Sequence, residues 1–121
     1  MIGYVTLGTN DLARGARFYD GLLPLLGGKR DWVTEKMIAW TAGPGAPMVV
    51  LIKPADGKPA TVGNGVMVAL KASSKAQVDE VYKKALALGG KDEGPAGPRG
   101  DDFYAGYFRD VEGNKLCVFH M

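Results

Sequence analysis

The chain opens with a stretch of β-strand composition, residues 2–7, followed by apolar residues at helical spacing. Thr9 or Asn10 can cap this helix, and Asp11 is favourably placed in its first turn. One apolar face is formed by Leu12, Ala16, Tyr19 and Leu23. Gly21 and Pro24 predict its end or a kink, and the Gly27-Gly28 pair completes the stop. Three short strands are predicted next, at residues 29–34, 37–41 and 48–53.

The same order of patterns returns after a connector rich in proline and glycine. Residues 66–70 predict a strand, and Ser74 with Gln77 forms a capping-box pattern for a second helix. The apolar stripe of this helix is Val78, Val81, Tyr82, Ala85 and Leu86. We expect a loop rich in glycine and proline at residues 94–100. Strands at residues 103–109 and 115–120 then follow, joined by a turn at residues 110–114.

A constant offset relates the two halves of the chain. Three pairs lie 63 residues apart, namely Val5 and Val68, Leu7 and Leu70, and Tyr19 and Tyr82. A repeat of this length predicts two βαβββ modules, each with a helix on one face of its sheet. We therefore expect an α+β fold in one domain, residues 1–121, with module one at 1–54, a connector at 55–65 and module two at 66–121.

Composition narrows the classes of function. The 121 residues, 46% of them hydrophobic and 23% charged, suit one globular domain. No apolar run approaches the roughly 20 residues of a membrane span, and residues 1–5 lack the features of a secretory signal. The dispersed net charge of +2 argues against a nucleic-acid partner. One cysteine excludes an internal disulfide and fits a reducing compartment, so we expect a cytoplasmic protein without a membrane or nucleic-acid partner.

Two segments carry a family resemblance. Residues 4–12 run into the Phe18-Tyr19 pair, and residues 109–116 read Arg-Asp-Val-Glu-Gly-Asn-Lys-Leu. The first resembles the opening strand and helix, and the second the closing hairpin, of the vicinal oxygen chelate superfamily, which includes glyoxalases, bleomycin-resistance proteins and extradiol dioxygenases. The resemblance implies two βαβββ modules that form a curled mixed sheet around a cavity. It also implies a homodimer.

The resemblance implies metal-ligand positions that this sequence fills with other residues. In metal-dependent members the ligands are usually His or Gln and Glu from the first and last strands of each module. Those positions fall here on Tyr4, Met67 and Cys117, and residues 48–52 contain no carboxylate. Because hard and borderline divalent ions favour imidazole and carboxylate ligands, we expect no glyoxalase-type metal centre and no cofactor. A thiolate–thioether pair could in principle favour a soft ion such as Cu(I).

Strand alternation indicates which residues face the cavity. Tyr4 and Thr6 share one face of the first strand, and the more apolar Val5 and Leu7 share the face that the helix must cover. The same parity directs Met67, Cys117 and Phe119 towards the cavity. These side chains either line a ligand pocket, which is typically apolar with few polar groups, or simply fill the space between the modules.

Further candidates carry both a chemical and a structural interpretation. Cys117 could be a nucleophile, but an unassisted thiol has a pKa near ~8.5, and His120 should point to the opposite face of the same strand. The guanidinium of Arg99 could bind a carboxylate or phosphate of a ligand, or it could simply be solvated. Aromatic walls for a planar ligand could come from Trp40, Tyr104 and Tyr107.

The leading expectation is a protein of the glyoxalase/bleomycin-resistance fold that binds a small organic molecule, such as a drug or toxin, without a metal. The alternative is a divergent lyase or isomerase, of lactoylglutathione lyase or dioxygenase type, that uses Tyr4, Cys117 or Arg99 for acid–base or electrostatic work. A third possibility is a structural partner whose cavity is filled. The sequence identifies no catalytic residue.

Overall fold

A computed structural model describes all residues, 1–121, as two four-stranded sheets and two α-helices. The elements are β1 (Tyr4–Gly8), α1 (Leu12–Leu22), β2 (Lys29–Val33), β3 (Met37–Thr41), β4 (Met48–Ile52), β5 (Val68–Lys71), α2 (Lys75–Ala87), β6 (Lys91–Pro98), β7 (Tyr104–Arg109) and β8 (Lys115–His120). A 3₁₀ helix, Leu23–Leu26, extends α1 through Pro24 and ends at Gly27, whose φ is 82°. Neither α-helix is long and apolar enough to cross a membrane.

Both sheets have the same topology. The strand orders are β1-β4-β3-β2 and β5-β8-β7-β6. In each sheet the first strand runs parallel to the last strand of its module, and the other pairs are antiparallel. The predicted α+β fold of two βαβββ modules is therefore confirmed.

The helix starts follow local hydrogen bonding. Asp11 caps α1 by accepting a hydrogen bond from the backbone N–H of Arg14 at 3.1 Å. The prediction of Thr9 or Asn10 as the cap is wrong, because Thr9 accepts from the N–H of Asp11 and Asn10 is bonded to Ala60 of the connector. Ser74 caps α2 as predicted, accepting from the N–H of Gln77 at 3.1 Å.

The loop predicted at residues 94–100 is largely a strand. β6 continues to Pro98 and pairs with β7, with irregular register between Asp92 and Gly94 and again between Gly94 and Gly97. β6 is an edge strand, so the missing N–H groups of its prolines can face away from the ladder. Bulges at the two register shifts accommodate the extra residues of β6.

A shared core joins the modules. α1 packs against α2, and one cluster contains Phe18, Tyr19 and Leu22 of α1 together with Val78 and Val81 of α2. The Tyr19 hydroxyl donates to the Asp110 carboxylate at 2.5 Å, across 91 residues of sequence. This hydrogen bond links the closing hairpin of module two to the first helix, alongside hydrogen bonds from Thr9 to Glu112 and from Asn114 to the Gly8 carbonyl.

Candidate functional site

Each sheet has one face covered by its helix and one face that the helix leaves free, here called the open face. On the open face of module one the register places Tyr4 beside Met48 and Thr41, and Thr6 beside Val50 and Ala39. Tyr4 is 60% exposed. This surface is apolar apart from the hydroxyl groups and Lys29, which pairs with Thr41 at its edge.

The open face of module two is chemically different. The register places Ala69, Cys117 and Tyr107 in one row across the sheet, and Lys71, Phe119 and Ala105 in the next. Lys115 lies opposite Arg109 in the row that adjoins the Cys117 row on the side away from Phe119. Phe119 stacks on Phe103 with ring centroids 5.5 Å apart.

Two cations converge on the ring of Tyr107. The guanidinium of Arg99 lies 5.5 Å from the ring centroid, and Nζ of Lys115 lies 5.9 Å from it. Arg99 follows directly after β6, and Lys115 begins β8, so the cations approach the ring from the strands on either side of β7. Arg99, Tyr107, Lys115 and Cys117 therefore form one cluster on the open face of module two.

Cys117 lies at the base of this cluster and is 1% exposed. Burial raises the pKa of its thiol, against smaller opposing effects from a hydrogen bond with Tyr107 and the charges of Arg99 and Lys115. The thiol is therefore held mostly protonated at neutral pH. His120 lies on the opposite face, where Nδ1 is 3.2 Å from the Ala72 carbonyl, so it is not a base for Cys117.

Two of the aromatic candidates lie on the helix-covered faces. Trp40 is 2% exposed, and its indole N–H donates to Asp20 of α1 at 2.9 Å. The Tyr104 hydroxyl donates to Asp79 of α2 at 2.6 Å. The structure thus separates Trp40 and Tyr104 from Tyr4, Thr6, Cys117 and Phe119, which all lie on open faces.

An apolar groove of about 530 Å³ lies between the modules. β1 and β5 both border it, and Met67 and Trp40 are among its lining residues. Leu23 and Leu26 of the 3₁₀ helix line it from the side of α1. Of the sequence candidates, only Met67 and Trp40 line this groove. The candidate residues are therefore distributed over the two open faces, the groove and, for Tyr104, a helix-covered face.

The donor atoms do not fit a glyoxalase-type metal. Tyr4 and Met67 are exposed, whereas Cys117 is buried with its thiol in the cluster on module two. No group of three or more His, Cys, Asp or Glu side chains comes together anywhere in the chain. The phenol, thioether and protonated thiol at the family's ligand positions are poor donors for a hard or borderline divalent ion.

The sequence pattern did not identify Lys115 as a candidate site residue. Tyr107 was predicted only as an aromatic surface for a planar ligand. The signal for Lys115 was available, because a residue two positions before Cys117 on one strand shares its face. Tyr107 was ambiguous because the bounds of β7 were uncertain by a few residues, and a shift of one residue reverses the face.

Comparison with known proteins shows similarity over the whole fold. A family model described as Glyoxalase/Bleomycin resistance protein/Dioxygenase superfamily matches residues 1–118. A glyoxalase/bleomycin resistance protein from Albidiferax ferrireducens is 32% identical, with a TM-score of 0.91, and the match covers 100% of this chain and 98% of that one. No protein with a curated function matches the chain.

Two more distant structures share the fold. A lactoylglutathione lyase from Agrobacterium tumefaciens is 24% identical with a TM-score of 0.72, covering 98% of this chain and 92% of that one. A glyoxalase/bleomycin resistance protein/dioxygenase family enzyme from Burkholderia phytofirmans is 14% identical with a TM-score of 0.76, covering 97% and 95%. Because fold similarity does not transfer activity, the residues of the site must decide the function.

Proposed function

The chain belongs to the glyoxalase/bleomycin resistance protein/dioxygenase superfamily, and we propose that it binds a small organic molecule without a glyoxalase-type metal centre. The observation that carries the proposal is the donor chemistry at the family's ligand positions, which are Tyr4, Met67 and Cys117. An apolar groove and a partly polar open face supply the two kinds of surface that an organic ligand needs. Sequestration of a drug or toxin would require no more than this.

Two measurements on protein purified from its source test this proposal. Native mass spectrometry should show a retained small molecule, or a mass shift when a binding compound is added. Elemental analysis should show no stoichiometric transition metal. Stoichiometric Zn, Ni or Fe together with turnover of a hemithioacetal would overturn the proposal.

The second candidate is a divergent lyase or isomerase, and the specific observation in its favour is the position of Cys117 beneath Tyr107, Arg99 and Lys115. The raised pKa of the thiol weakens Cys117 as a nucleophile, so we place this function second. If an activity is found, Cys117→Ser and Cys117→Ala should abolish it. Retention of activity in both of these variants and in Tyr4→Phe would exclude the assigned roles.

We also propose a homodimer, on the basis of the sheet edges. The edge strand β6 contains two prolines and two register shifts, and the edge strand β2 contains Lys29, Arg30 and Asp31. Prolines, bulges and charged side chains on an edge strand disfavour pairing with another strand. β1 and β5 lack prolines and bulges and are flanked by the exposed apolar residues Ile2 and Val66. Exposed edges of this kind favour pairing with a second copy of the chain.

Light scattering coupled to size-exclusion chromatography measures the oligomeric state directly. The chain should elute with twice its monomer mass of 12.8 kDa, and Ile2→Lys should shift the equilibrium towards the monomer, while Val33→Lys on the edge of β2 should not. A monomer at all concentrations would contradict the proposal.

The single buried cysteine is also compatible with the reducing cytoplasm, where we propose that the protein acts.

A further inference from the structure

We propose that the open face of module two binds an anionic group of the ligand, a carboxylate or a phosphate, between Arg99 and Lys115 over the ring of Tyr107. The inference rests on the proposed binding function and names the chemistry of the ligand at one part of its site.

The two cations lack acidic partners. The structure contains two ion pairs, Arg30–Asp20 and Arg109–Glu93, and neither involves Arg99 or Lys115. Arg99 instead donates hydrogen bonds to the main-chain carbonyls of Pro95 at 2.5 Å and Pro98 at 3.3 Å. These bonds orient the guanidinium but leave its charge uncompensated, and they leave further N–H donors available.

The neighbouring acid does not neutralise the cluster. Glu93 is bound to Arg109, whose Nε is 2.7 Å from the carboxylate. This partner is the main reason that the pKa of Glu93 is lowered, with a smaller effect of Lys115. With Arg109 and Glu93 compensating each other, the positive charges of Arg99 and Lys115 remain as an excess on this face.

Glycines in β6 keep the surface beside Tyr107 open. Gly94 lies opposite Tyr107 in the ladder, and Gly97 lies opposite Ala105. A Cβ at Gly94 would come within 3.2 Å of the Tyr107 ring and 3.4 Å of the Arg99 guanidinium, and a Cβ at Gly97 within 3.4 Å of the same guanidinium. The absence of side chains here allows the guanidinium to lie close to the ring, where a planar cation is favoured.

The geometry suits an oxyanion attached to an organic group. A guanidinium can hold a carboxylate or phosphate through two parallel hydrogen bonds, while an ammonium supplies a second positive charge without fixed geometry. Phe119 and Phe103 form an apolar stack on the same side of the sheet, two residues along β8 from Cys117. An aromatic acid or phosphate ester could therefore place its charge between the cations and its ring near this stack.

Titration of ¹⁵N-labelled protein with three probes tests the inference. Phenyl phosphate and benzoate carry the two candidate anions, and benzyl alcohol is a neutral aromatic of similar size. We expect at least one anion to bind about tenfold more tightly than benzyl alcohol, with the largest amide shifts at Tyr107 and Cys117. Arg99→Gln and Lys115→Gln should each weaken that binding several-fold, and added salt should do the same. Lys83→Gln, an exposed change on α2, is the matched control and should have no effect.

Three outcomes would overturn the inference: benzyl alcohol binding as tightly as both anions, anion binding unaffected by Arg99→Gln and Lys115→Gln, or no shift at Tyr107 with any probe. The amide spectrum of each variant shows whether it is folded. Neutral binding without an anion preference would leave the proposed binding function intact. A stoichiometric metal with hemithioacetal turnover would instead overturn that function, whatever the anions do.

Discussion

Replacement of Tyr19 by phenylalanine removes the hydroxyl oxygen from one of the contacts between the modules. The hydroxyl of Tyr19 donates to Oδ2 of Asp110 at 2.5 Å, and Tyr19 is 0% exposed. The Asp110 carboxylate also accepts from the backbone N–H groups of Glu112 and Asn114 and from the Asn114 side chain, at 2.8–2.9 Å. Phenylalanine preserves the packing of the ring, so the change in stability reports the hydrogen bond.

The magnitude follows from the charge and burial of the acceptor. A hydrogen bond to a charged group contributes about 1.5–3 kcal/mol to stability, and removing one partner leaves the buried acceptor less well satisfied. Asp110 is 4% exposed, so little water can replace the lost donor. We expect Tyr19→Phe to lower the free energy of unfolding by about 1.5–3 kcal/mol, which corresponds to a fall in Tm of roughly 5–15 °C for a domain of this size.

Urea denaturation followed by circular dichroism measures the change, and the repeat supplies the control. Tyr82 is the equivalent residue 63 positions later, and its hydroxyl donates to Asp92 at 2.8 Å in an exposed setting. Tyr82→Phe should therefore lower stability by no more than about 0.5 kcal/mol. If Tyr19→Phe is no more destabilising than Tyr82→Phe, the assignment of Tyr19–Asp110 as a strongly stabilising contact between the modules is refuted.

Three further predictions use other features of the structure. Burial, followed by the charge and hydrogen bond of Asp110, raises the pKa of Tyr19 well above its ordinary value, so above about pH 10 the unfolded chain releases a proton that the folded chain retains. Stability should then fall as pH rises, and less steeply in Tyr19→Phe; equal slopes would contradict the assignment. Gly90→Ala should lower stability by about 1–3 kcal/mol, because its Cβ would lie 2.7 Å from two backbone carbonyl oxygens, whereas Gly3→Ala, with no atom within 4 Å, should be neutral in the same urea titration. The thiol of Cys117 should react with a disulfide reagent at pH 8 on the order of a hundredfold more slowly in the native protein than in urea, and similar rates would contradict its burial.

The fold was predictable because the repeat and the strand parity are both encoded in local sequence. Parity placed Tyr4 and Thr6 together, and the ladder of the structure has them on one face. The failures occurred where a tertiary environment overrides local composition. β6 reads as a loop because Pro95 and Pro98 disfavour a strand, yet an edge position tolerates both.

The site was less predictable because it depends on contacts between side chains from different strands. Arg99 lies near Tyr107 only because β6 pairs with β7 through two irregularities in register, which no sequence pattern indicated. Tyr104 could not be assigned to a face, since its position at the start of β7 was uncertain and the deciding contact is a hydroxyl bonded to Asp79 of α2. Lys115, by contrast, could have been placed on the open face by the same parity argument that placed Cys117 there.

The repeat explains the architecture, but the two modules carry different residues at equivalent positions of their open faces. In the central row of each open face, Thr6, Val50 and Ala39 of module one correspond through the ladders to Ala69, Cys117 and Tyr107 of module two. Ala39 of module one is therefore equivalent to Tyr107 of module two, and Val50 is equivalent to Cys117. Val50, Ala39 and Cys117 are each no more than 1% exposed, so packing constrains the residues at these positions although they lie on the faces that the helices leave free. Thr6 and Ala69 are the exposed pair of equivalent positions, so exchanging them (Thr6→Ala with Ala69→Thr) should change the free energy of unfolding by no more than about 0.5 kcal/mol. Ala39→Tyr should be strongly destabilising, because Ala39 is 0% exposed and has no room for a phenol ring.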